Sequence, residues 1–470
     1  MWIQIRKDGL QNSIIVGEAI ILCYLVFSFL DTDTALKCWE ITMSILLLAC
    51  FVFSIKRFGL LSEVTLFLIS FALFLCVFPI EDIFGIYDFR QLKLISYTCY
   101  LTDTTAIKTV MCLTIGLTVV WVCINCFDYK KEDSIISDET QPFESTLTVV
   151  FILLVLASIP YKVYLAAIVQ YGGYATTFTS LRTTGIIRLS EMAKDAIFPI
   201  FTVCFLCETS KKRMKIILIF FAVISILDLF CGRRATFFEE MLFIAWFLNK
   251  YISKLNTRKV GLFFLLLLFA SAIMVQFRNG TDTYNLLNNG HSVYVISLTI
   301  DNAAVLNSSQ CNEWGIPYTF GLLVKDAVAI FYKVTGQLSP FYDGQTLLTL
   351  QHSAYLGWEL TYLLRPSSFL NGYGMGSSYV AEAYLSHGMI GIIFYTFLVF
   401  GIMKEAQKAK WKYGTAFYFV AVKSFFEIPR ANFFNFLIEL ILTLIILGIF
   451  RGIIKLLTGR RIVFAGERSS

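Results

Sequence analysis

Long apolar runs alternate with short polar segments along almost the whole chain. Each run is long enough to cross a hydrocarbon layer of about 30 Å as an α-helix that rises about 1.5 Å per residue. The pattern therefore predicts about twelve membrane-spanning helices, near residues 13–30, 40–55, 60–79, 106–127, 145–169, 193–208, 214–231, 235–251, 259–276, 377–403, 411–427 and 433–454. An even number of spans places both termini on one side of the membrane.

Positive charge is divided unevenly between alternate loops. Of the 39 lysines and arginines, 23 fall in one set of loops and at the two ends of the chain, which the positive-inside rule assigns to the cytoplasm. The other 16 lie outside or near the outer ends of spans. Among them are five arginines at the outer face: Arg233, Arg234, Arg278, Arg365 and Arg430. Positive charge kept on the disfavoured face favours an anionic ligand there.

The composition agrees with a helical membrane protein. The 470 residues are 57% hydrophobic and 15% charged, with a mean hydropathy of +0.70, whereas soluble domains average about 25% charged residues. The net charge of +6 is spread over the cytoplasmic loops, so it reflects topology and no nucleic-acid partner is expected. Most of the 12 cysteines fall within predicted spans, and no metal or cofactor site is expected.

One outer loop is far longer than the others. Residues 277–376 contain apolar and amphipathic stretches separated by Asn-Gly, Ser-Pro and Asp-Gly pairs, which predicts helical segments lying on or dipping into the outer membrane surface. The predicted organisation has three parts: spans one to nine in 1–276, a large periplasmic loop in 277–376, and spans ten to twelve with a cytoplasmic tail in 377–470.

The turn at residues 228–236 joins two apolar spans and carries two adjacent arginines. They could anchor helix ends at the membrane surface, paired with Asp228 or Glu239. Alternatively they could bind phosphate or pyrophosphate, since the planar guanidinium matches phosphate oxygens. Arg278, at the outer end of the ninth span, adds a third cation at the same depth.

The stretch around the tenth span combines glycines with ionisable residues. Gly372, Gly374 and Gly376 lead into the predicted helix, where Glu382 and then His387 follow. A carboxylate inside a membrane helix is costly and marks a candidate functional site, although an interhelical pair with arginine is the alternative. Arg430, in a Glu-Ile-Pro-Arg turn, is equally consistent with an ion pair and with ligand binding.

These motifs resemble a known family. The stretch Gly372–Gly391, the Gly-Arg turn at 232–234 and the long outer loop are similar to the oligosaccharide repeat-unit polymerases, the Wzy or O-antigen polymerase family. The segment that begins His352-Ser is similar to the histidine-containing outer loop of the related O-antigen ligases. At the level of motifs, the resemblance is confined to 232–234, 278 and 351–391.

The resemblance implies a membrane glycosyltransferase with an all-α, GT-C-like fold that works without a metal. Such an enzyme would polymerise undecaprenyl-diphosphate-linked oligosaccharide repeat units into O-antigen or capsule at the periplasmic face of the bacterial inner membrane. Its partners would be the lipid-linked donor and acceptor and the bilayer. A chain-length regulator and a flippase are further candidate partners.

Glycosyl transfer from a diphosphate needs stabilisation of the leaving group, and a base that takes a proton from the acceptor hydroxyl. The predicted diphosphate-binding residues are Arg233, Arg234 and Arg278, with Arg365 and Arg430 as supporting cations. The predicted catalytic base is one of Glu382, His352 and His387.

Two alternatives stay open at this point. An O-antigen ligase would transfer the glycan to the lipid A core, and the similarity of the His352 segment to the ligase loop is consistent with that function. A lipid-oligosaccharide flippase also suits twelve spans, but it should line a central cavity with charge and show related halves. The unusual charges here cluster on one face, and only the second half has a large loop.

Overall fold

The computed structural model describes most of the chain. The described residues are 7–94, 97–127, 144–172, 185–207, 209–256, 258, 260–263, 292–308, 316–335, 345–372, 374–409 and 413–458. Arg278 and most of the predicted ninth span, 259–276, lie outside these residues.

α-Helices form nearly all the regular structure of this described part. The first half contains α1 (Lys7–Phe27), α2 (Thr32–Phe58), α3 (Glu63–Phe71), a π-helical turn (Ala72–Cys76), α4 (Val77–Ile83), strands β1 (Gln91–Leu94) and β2 (Tyr97–Tyr100), α5 (Asp103–Cys126), α6 (Glu144–Gly172), α7 (Gly185–Leu206), α8 (Lys211–Phe230), α9 (Arg234–Phe247) and a second π-helical turn (Leu248–Ile252). The second half contains α10 (Ser292–Asp301), α11 (Ala303–Ser308), a 3₁₀ turn (Tyr318–Phe320), α12 (Gly321–Val334), α13 (Leu347–Gln351), α14 (Leu356–Leu364), α15 (Pro366–Leu370), α16 (Tyr379–Lys408), α17 (Gly414–Glu427), a 3₁₀ turn (Ile428–Arg430) and α18 (Asn435–Thr458).

The chain divides into two compact units. Unit 1 comprises Met1–Tyr129, Leu287–Lys404 and Ile428–Asn435. Unit 2 comprises Lys130–Leu286, Glu405–Glu427 and Phe436–Ser470. These units group residues by contact, whereas the three parts predicted above group them by membrane topology. That three-part division stays a prediction.

Side-chain caps and a glycine define several helix ends in unit 1. The hydroxyl of Ser62 accepts a hydrogen bond from the Thr65 N–H at 3.3 Å, and Thr102 accepts one from the Thr105 N–H at 3.2 Å. Such caps satisfy backbone donors that have no partner within the helix. Gly59 closes α2 with a φ of +97°, in the region that favours glycine.

Part of the long loop belongs to the core of unit 1. In α10, all residues from Ser292 to Ile300 are buried, and the helix packs against α5 and the π-helical turn after α3. The Thr109 hydroxyl donates to the Ser297 hydroxyl at 3.0 Å. A helix that is buried on every side, with the Ser297 hydroxyl hydrogen-bonded, belongs to the interior of the protein. The predicted helical segments of this loop are therefore confirmed, and their depth in the membrane stays a prediction.

An aromatic cluster forms the core of unit 2. The ring of Phe201 on α7 lies 5.5 Å from Phe221, 5.7 Å from Phe243, 5.0 Å from Phe247 and 6.4 Å from Phe419, measured between centroids. These partners sit on α8, α9 and α17. Centroid distances of 4.5–7 Å are typical of favourable aromatic pairs. The cluster therefore packs four helices together around one residue.

The predicted helical membrane class is confirmed by these elements. Within the described residues, eleven of the twelve predicted spans coincide with helices. Six helices are long and apolar enough to cross a membrane: Gly9–Phe27, Thr32–Phe58, Glu63–Ile83, Asp103–Cys126, Ser145–Gln170 and Tyr379–Lys408. The count of twelve spans and the GT-C-like arrangement stay predictions. The antiparallel hairpin, in which Gln91 pairs with Tyr100, was not predicted from the sequence.

Candidate functional site

The tenth predicted span is a broken helix. Within α16, His387 has a φ of −147° and Gly388 a φ of +61°, so the helical backbone is interrupted there. A Cβ at Gly391 would lie 2.0 Å from the carbonyl oxygen of Ala383, because the two helical pieces approach closely at this point. Only glycine permits that approach. Glu382 therefore belongs to the short first piece, and the longer second piece ends at Lys408.

The glycine-rich segment before α16 packs along α14. Gly372 and Gly376 have φ values of +85° and +78°. A Cβ at Gly357 would lie 2.1 Å from the carbonyl oxygen of Gly376, and the Met375 N–H donates to the Thr361 hydroxyl at 3.0 Å. The glycines thus allow a close backbone contact that fixes where α16 begins.

Glu382 is fully buried and holds three hydrogen-bond donors. Its carboxylate accepts from the Ser377 hydroxyl at 2.7 Å, from the Asn432 amide, and from the Phe433 N–H at 3.0 Å. All three donors are uncharged. These hydrogen bonds therefore do not form the interhelical Glu–Arg pair that the sequence left as an alternative. A buried carboxylate with this many protein donors suits a residue that joins two segments. Its predicted role as the base stays a prediction.

The turn that carries Arg430 is joined to the same segment. The Ser378 hydroxyl donates to the Pro429 carbonyl at 2.8 Å, beside the bonds from residues 432 and 433 to Glu382. Arg430 itself is exposed, and its guanidinium carbon lies 5.5 Å from the centroid of the Phe74 ring. The structure therefore brings the motif of Glu382 and the turn of Arg430 together within unit 1.

His352 follows α13 directly and is half-buried. Its Nδ1 lies 2.8 Å from the carbonyl oxygen of Leu348. Because a carbonyl can only accept, this bond requires the proton on Nδ1. In the neutral ring the lone pair is then on Nε2, which is the form a general base needs.

The backbone next to His352 has an unusual conformation. Ala354 has a φ of +45°, the one positive value among the described residues other than glycine. A Cβ at Gly321 would lie 1.9 Å from the Ala354 carbonyl oxygen, so α12 approaches this turn closely. Strained backbone of this kind is found at sites where the surrounding structure fixes a functional side chain.

The remaining predicted residues of unit 1 lie at helix boundaries. Arg365 is half-buried at the junction of α14 and α15, where Pro366 begins the next helix. His387 is exposed at the break in α16, and its ring centroid lies 6.5 Å from that of Tyr395. The backbone is irregular at both positions. The sequence indicates this, because Pro366 follows Arg365 and Gly388 follows His387.

Unit 2 holds the arginine pair in a tight turn between α8 and α9. Gly232 has a φ of +75°, and the Arg233 N–H donates to the Asp228 carbonyl at 2.9 Å. The Arg233 guanidinium lies 3.5 Å from the hydroxyl oxygen of Tyr161 on α6. Arg234 is the first residue of α9, and its side chain lies outside what the structure describes.

A buried ion pair next to this turn was not predicted. Lys162 on α6 and Asp228 at the end of α8 bind each other with side-chain exposures of 2% and 4%. From the sequence, Asp228 was predicted only as a possible partner for arginine, and Lys162 fell among the outer cations. The signal was nonetheless present, because Lys162 lies inside the predicted span 145–169, where a charge is costly.

A second charged group, with Glu239 buried and Lys423 and Glu439 half-buried, lies on α9, α17 and α18. Lys423 binds Glu439, and its ammonium nitrogen lies 3.2 Å from a carboxylate oxygen of Glu239. Glu240, next in the sequence, interacts electrostatically with Asp228 and with both lysines. Lys423, like Lys162, lies inside a predicted span, so the same sequence signal could have identified it. The helices of unit 2 are thus connected by buried charges.

The predicted site residues fall into two groups. Unit 1 holds His352, Arg365, Glu382, His387 and Arg430, and unit 2 holds Arg233 and Arg234. Within the described residues there is no group of three or more His, Cys, Asp or Glu side chains arranged to hold a metal ion.

Comparison with known proteins identifies the family. A profile described as O-antigen polysaccharide polymerase Wzy matches residues 13–461 of the 470. No curated protein and no solved structure matches the chain. The match spans nearly every element described above, including both groups of candidate residues, and it gives no support to a ligase or a flippase. The chain belongs to the O-antigen polysaccharide polymerase Wzy family and acts as a membrane enzyme that polymerises O-antigen repeat units.

Proposed function

We propose that this polymerase uses His352 as its general base and outer-face arginines to bind the diphosphate of a lipid-linked donor. Donor and acceptor are undecaprenyl-diphosphate-linked oligosaccharides, and the reaction takes place at the periplasmic face of the inner membrane. The observation that carries this proposal is the hydrogen bond from His352 Nδ1–H to the Leu348 carbonyl.

That bond distinguishes His352 from the other two candidates for the base. It orients the ring and requires the proton on Nδ1, which in the neutral ring puts the basic lone pair on Nε2, and the side chain is only half-buried. Glu382 is fully buried and already holds three donors, which suits a positioning role. His387 is exposed at a helix break, and within the described residues no hydrogen bond fixes its ring.

The proposed reaction is a single displacement. His352 Nε2 takes the proton of an acceptor sugar hydroxyl as that oxygen forms a bond to the anomeric carbon of the donor glycan. The bond from this carbon to the diphosphate oxygen breaks, and the lipid diphosphate leaves with the bonding electrons. The acceptor lipid then carries the whole glycan, which is longer by one repeat unit.

Arginines supply the positive charge that the departing diphosphate requires. Each guanidinium is permanently charged and can donate two parallel hydrogen bonds to phosphate oxygens. We assign diphosphate binding to Arg233, Arg234 and Arg278, and we assign supporting roles to Arg365 and Arg430. With these cations in place, the proposed mechanism needs no metal ion.

The proposed membrane arrangement follows from the charge distribution. Twelve helices in a GT-C-like fold would place both termini in the cytoplasm and residues 277–376 in the periplasm. The six apolar helices of sufficient length support a polytopic arrangement of this kind. A chain-length regulator and a flippase would act with the polymerase.

Surface glycan from a polymerase-deletion strain that carries single variants tests the base. We expect His352→Ala and His352→Gln to lower the polymerisation rate by about 10²–10⁴-fold and to reduce the glycan ladder to single repeat units. Glu382→Gln and His387→Ala test the competing candidates on the same gel. Arg188→Ala, which removes an exposed cation paired with Glu191, is the matched control for a charge outside the site.

The amount of each variant in the membrane is measured beside the gel. Long chains from His352→Ala at the protein level of the wild type would reject His352 as the base. A ladder lost only with Glu382→Gln or only with His387→Ala would transfer the role to that residue.

A further inference from the structure

The arginine turn of unit 2 is fixed at several points to one short stretch of α6. Tyr161 and Lys162, which follow Pro160 in that helix, are both almost fully buried. Lys162 binds the Asp228 carboxylate, its carbonyl accepts a bond from the Cys231 thiol at 3.3 Å, and Tyr161 accepts from Arg233. Neighbouring residues of α6 thus hold both ends of the turn.

Asp228 connects the ion pair directly to Arg233. Its carboxylate binds Lys162, and its carbonyl oxygen accepts the Arg233 N–H at 2.9 Å. A displacement of Asp228 would therefore displace the backbone that carries the guanidinium. Burial of both charges makes their separation costly, so the pair resists such a displacement.

The stretch of α6 is itself held by α7. The Tyr161 N–H donates to the Ser190 hydroxyl at 2.9 Å, and the Lys194 ammonium lies 5.6 Å from the centroid of the Tyr161 ring. Arg233 is half-buried at the end of this series of contacts. Its orientation is thus set by buried groups on three other helices.

We infer that Lys162 and Asp228 are positioning residues for the polymerisation reaction, because their ion pair holds Arg233 in the orientation that binds the donor diphosphate. This inference rests on the proposed function of Arg233. The donor diphosphate gains negative charge as it leaves, and hydrogen-bond donors stabilise that charge best when they are already held in place. An arginine released from its turn would therefore lose most of its stabilising effect on the diphosphate.

The test uses the full-length protein in lipid nanodiscs with a lipid-diphosphate-linked repeat unit as donor. The informative variant is Lys162→Met combined with Asp228→Leu, because replacing both partners leaves no uncompensated charge and keeps the unit folded. We expect kcat/KM for the donor to fall about tenfold or more, with part of the change in kcat because the diphosphate gains charge as it leaves. Introduced into Arg233→Ala, the same two substitutions should cause no further loss, since residues that act through one group are not additive.

A second readout reports the orientation of Arg233 without depending on activity. Phenylglyoxal modifies accessible guanidinium groups, and mass spectrometry of the peptide that contains Arg233 measures its rate. We expect this rate to rise severalfold in the Lys162→Met/Asp228→Leu variant. Phe151→Ala, which removes a buried side chain elsewhere on α6, is the matched control for general destabilisation and should leave the labelling rate unchanged.

The outcomes separate this inference from the proposed function. Unchanged labelling at Arg233, a loss of kcat/KM that adds fully to that of Arg233→Ala, or the same changes in Phe151→Ala would overturn the positioning role. If Arg233→Ala alone keeps the wild-type kcat/KM, the diphosphate-binding role is wrong, and the inference that depends on it fails with it. Faster labelling would then still show that the ion pair holds the turn.

Discussion

Glu382 in unit 1 and Asp228 in unit 2 are both buried carboxylates, but the protein stabilises them in different ways. In unit 1, Glu382 binds two neutral side chains and one backbone N–H. In unit 2, Asp228 binds Lys162, and Glu239 and Glu439 lie against Lys423. Glu382 is thus held by hydrogen bonds from uncharged groups, whereas the charges of Asp228 and Glu239 are balanced by lysines.

The difference determines which substitutions each unit tolerates. A carboxylate held by neutral donors can be exchanged for an amide at the cost of one acceptor oxygen, and the exchange leaves no buried charge without a partner. A carboxylate paired with a buried lysine cannot, because the lysine is left without compensation. Replacement of the carboxylate by the corresponding amide should therefore be mild at Glu382 and severe at Asp228.

The largest effect is expected from breaking the ion pair of unit 2. Asp228→Asn leaves the Lys162 ammonium buried without its counter-charge, and we expect a loss of about 3–5 kcal/mol in the free energy of unfolding. Thermal unfolding of the purified protein in detergent measures this loss. The double variant Lys162→Met/Asp228→Leu is the control, with little change expected. Equal stability of Asp228→Asn and the wild type would remove the contrast between the units.

The next effect concerns Glu382 in unit 1. Glu382→Ala leaves the Asn432 amide and the Phe433 N–H without their acceptor, at a cost of about 1–3 kcal/mol for each orphaned donor. Glu382→Gln keeps an acceptor oxygen, and we expect a loss of about 1 kcal/mol. Unfolding curves of the two variants, recorded side by side, measure the difference. Equal losses would mean that the negative charge matters in unit 1 as well.

A smaller effect is expected at the break in α16. Gly391→Ala places a methyl group against the Ala383 carbonyl, and overpacking of this kind costs about 1–3 kcal/mol. Gly401→Ala is the matched control on the same helix, because a Cβ there meets no atom within 4 Å. Without a clash, alanine should stabilise that position by about 0.5–1 kcal/mol. Similar stabilities for both variants would indicate that the two helical pieces do not touch.

The smallest effect is expected from the cap of α13. The Thr346 hydroxyl accepts from the Thr349 N–H at 3.1 Å and begins the short helix that positions Leu348 for His352. Thr346→Ala should cost about 1 kcal/mol, and Thr346→Ser should cost less because it retains the hydroxyl. Unfolding measurements and the glycan ladder of the two variants check this. A ladder shortened equally by both would show that the threonine methyl group matters and not the cap.

Much of the fold follows from local sequence patterns. Apolar runs of sufficient length predict helices because a backbone in hydrocarbon must satisfy its own hydrogen bonds. The turn at Gly232 and the break at Gly388 lie where glycines follow helical stretches. The helical segments of the long outer loop could also be predicted, because their apolar periodicity is a property of the local sequence. The family resemblance came from the same kind of signal, which is confined to short motifs.

The candidate site was harder to predict, because its partners are distant in the sequence. Glu382 meets Asn432 and Phe433, about fifty residues further along. Lys162 and Asp228 are separated by 66 residues. A lysine in an apolar span indicates that a counter-charge must exist, but not which of several acidic residues supplies it.

The sequence by itself determined the helical membrane class and the family, and it singled out the positions where charge interrupts apolar runs. Hydropathy and helix geometry act within one segment, so the order of residues is enough to express them. Tertiary structure alone decided that Glu382 is held by neutral donors, that the His352 ring is bonded to the Leu348 carbonyl, and that Lys162 is paired with Asp228. Each of these depends on which helices pack together, because a buried charge or hydrogen bond is satisfied by whichever group the fold brings within reach.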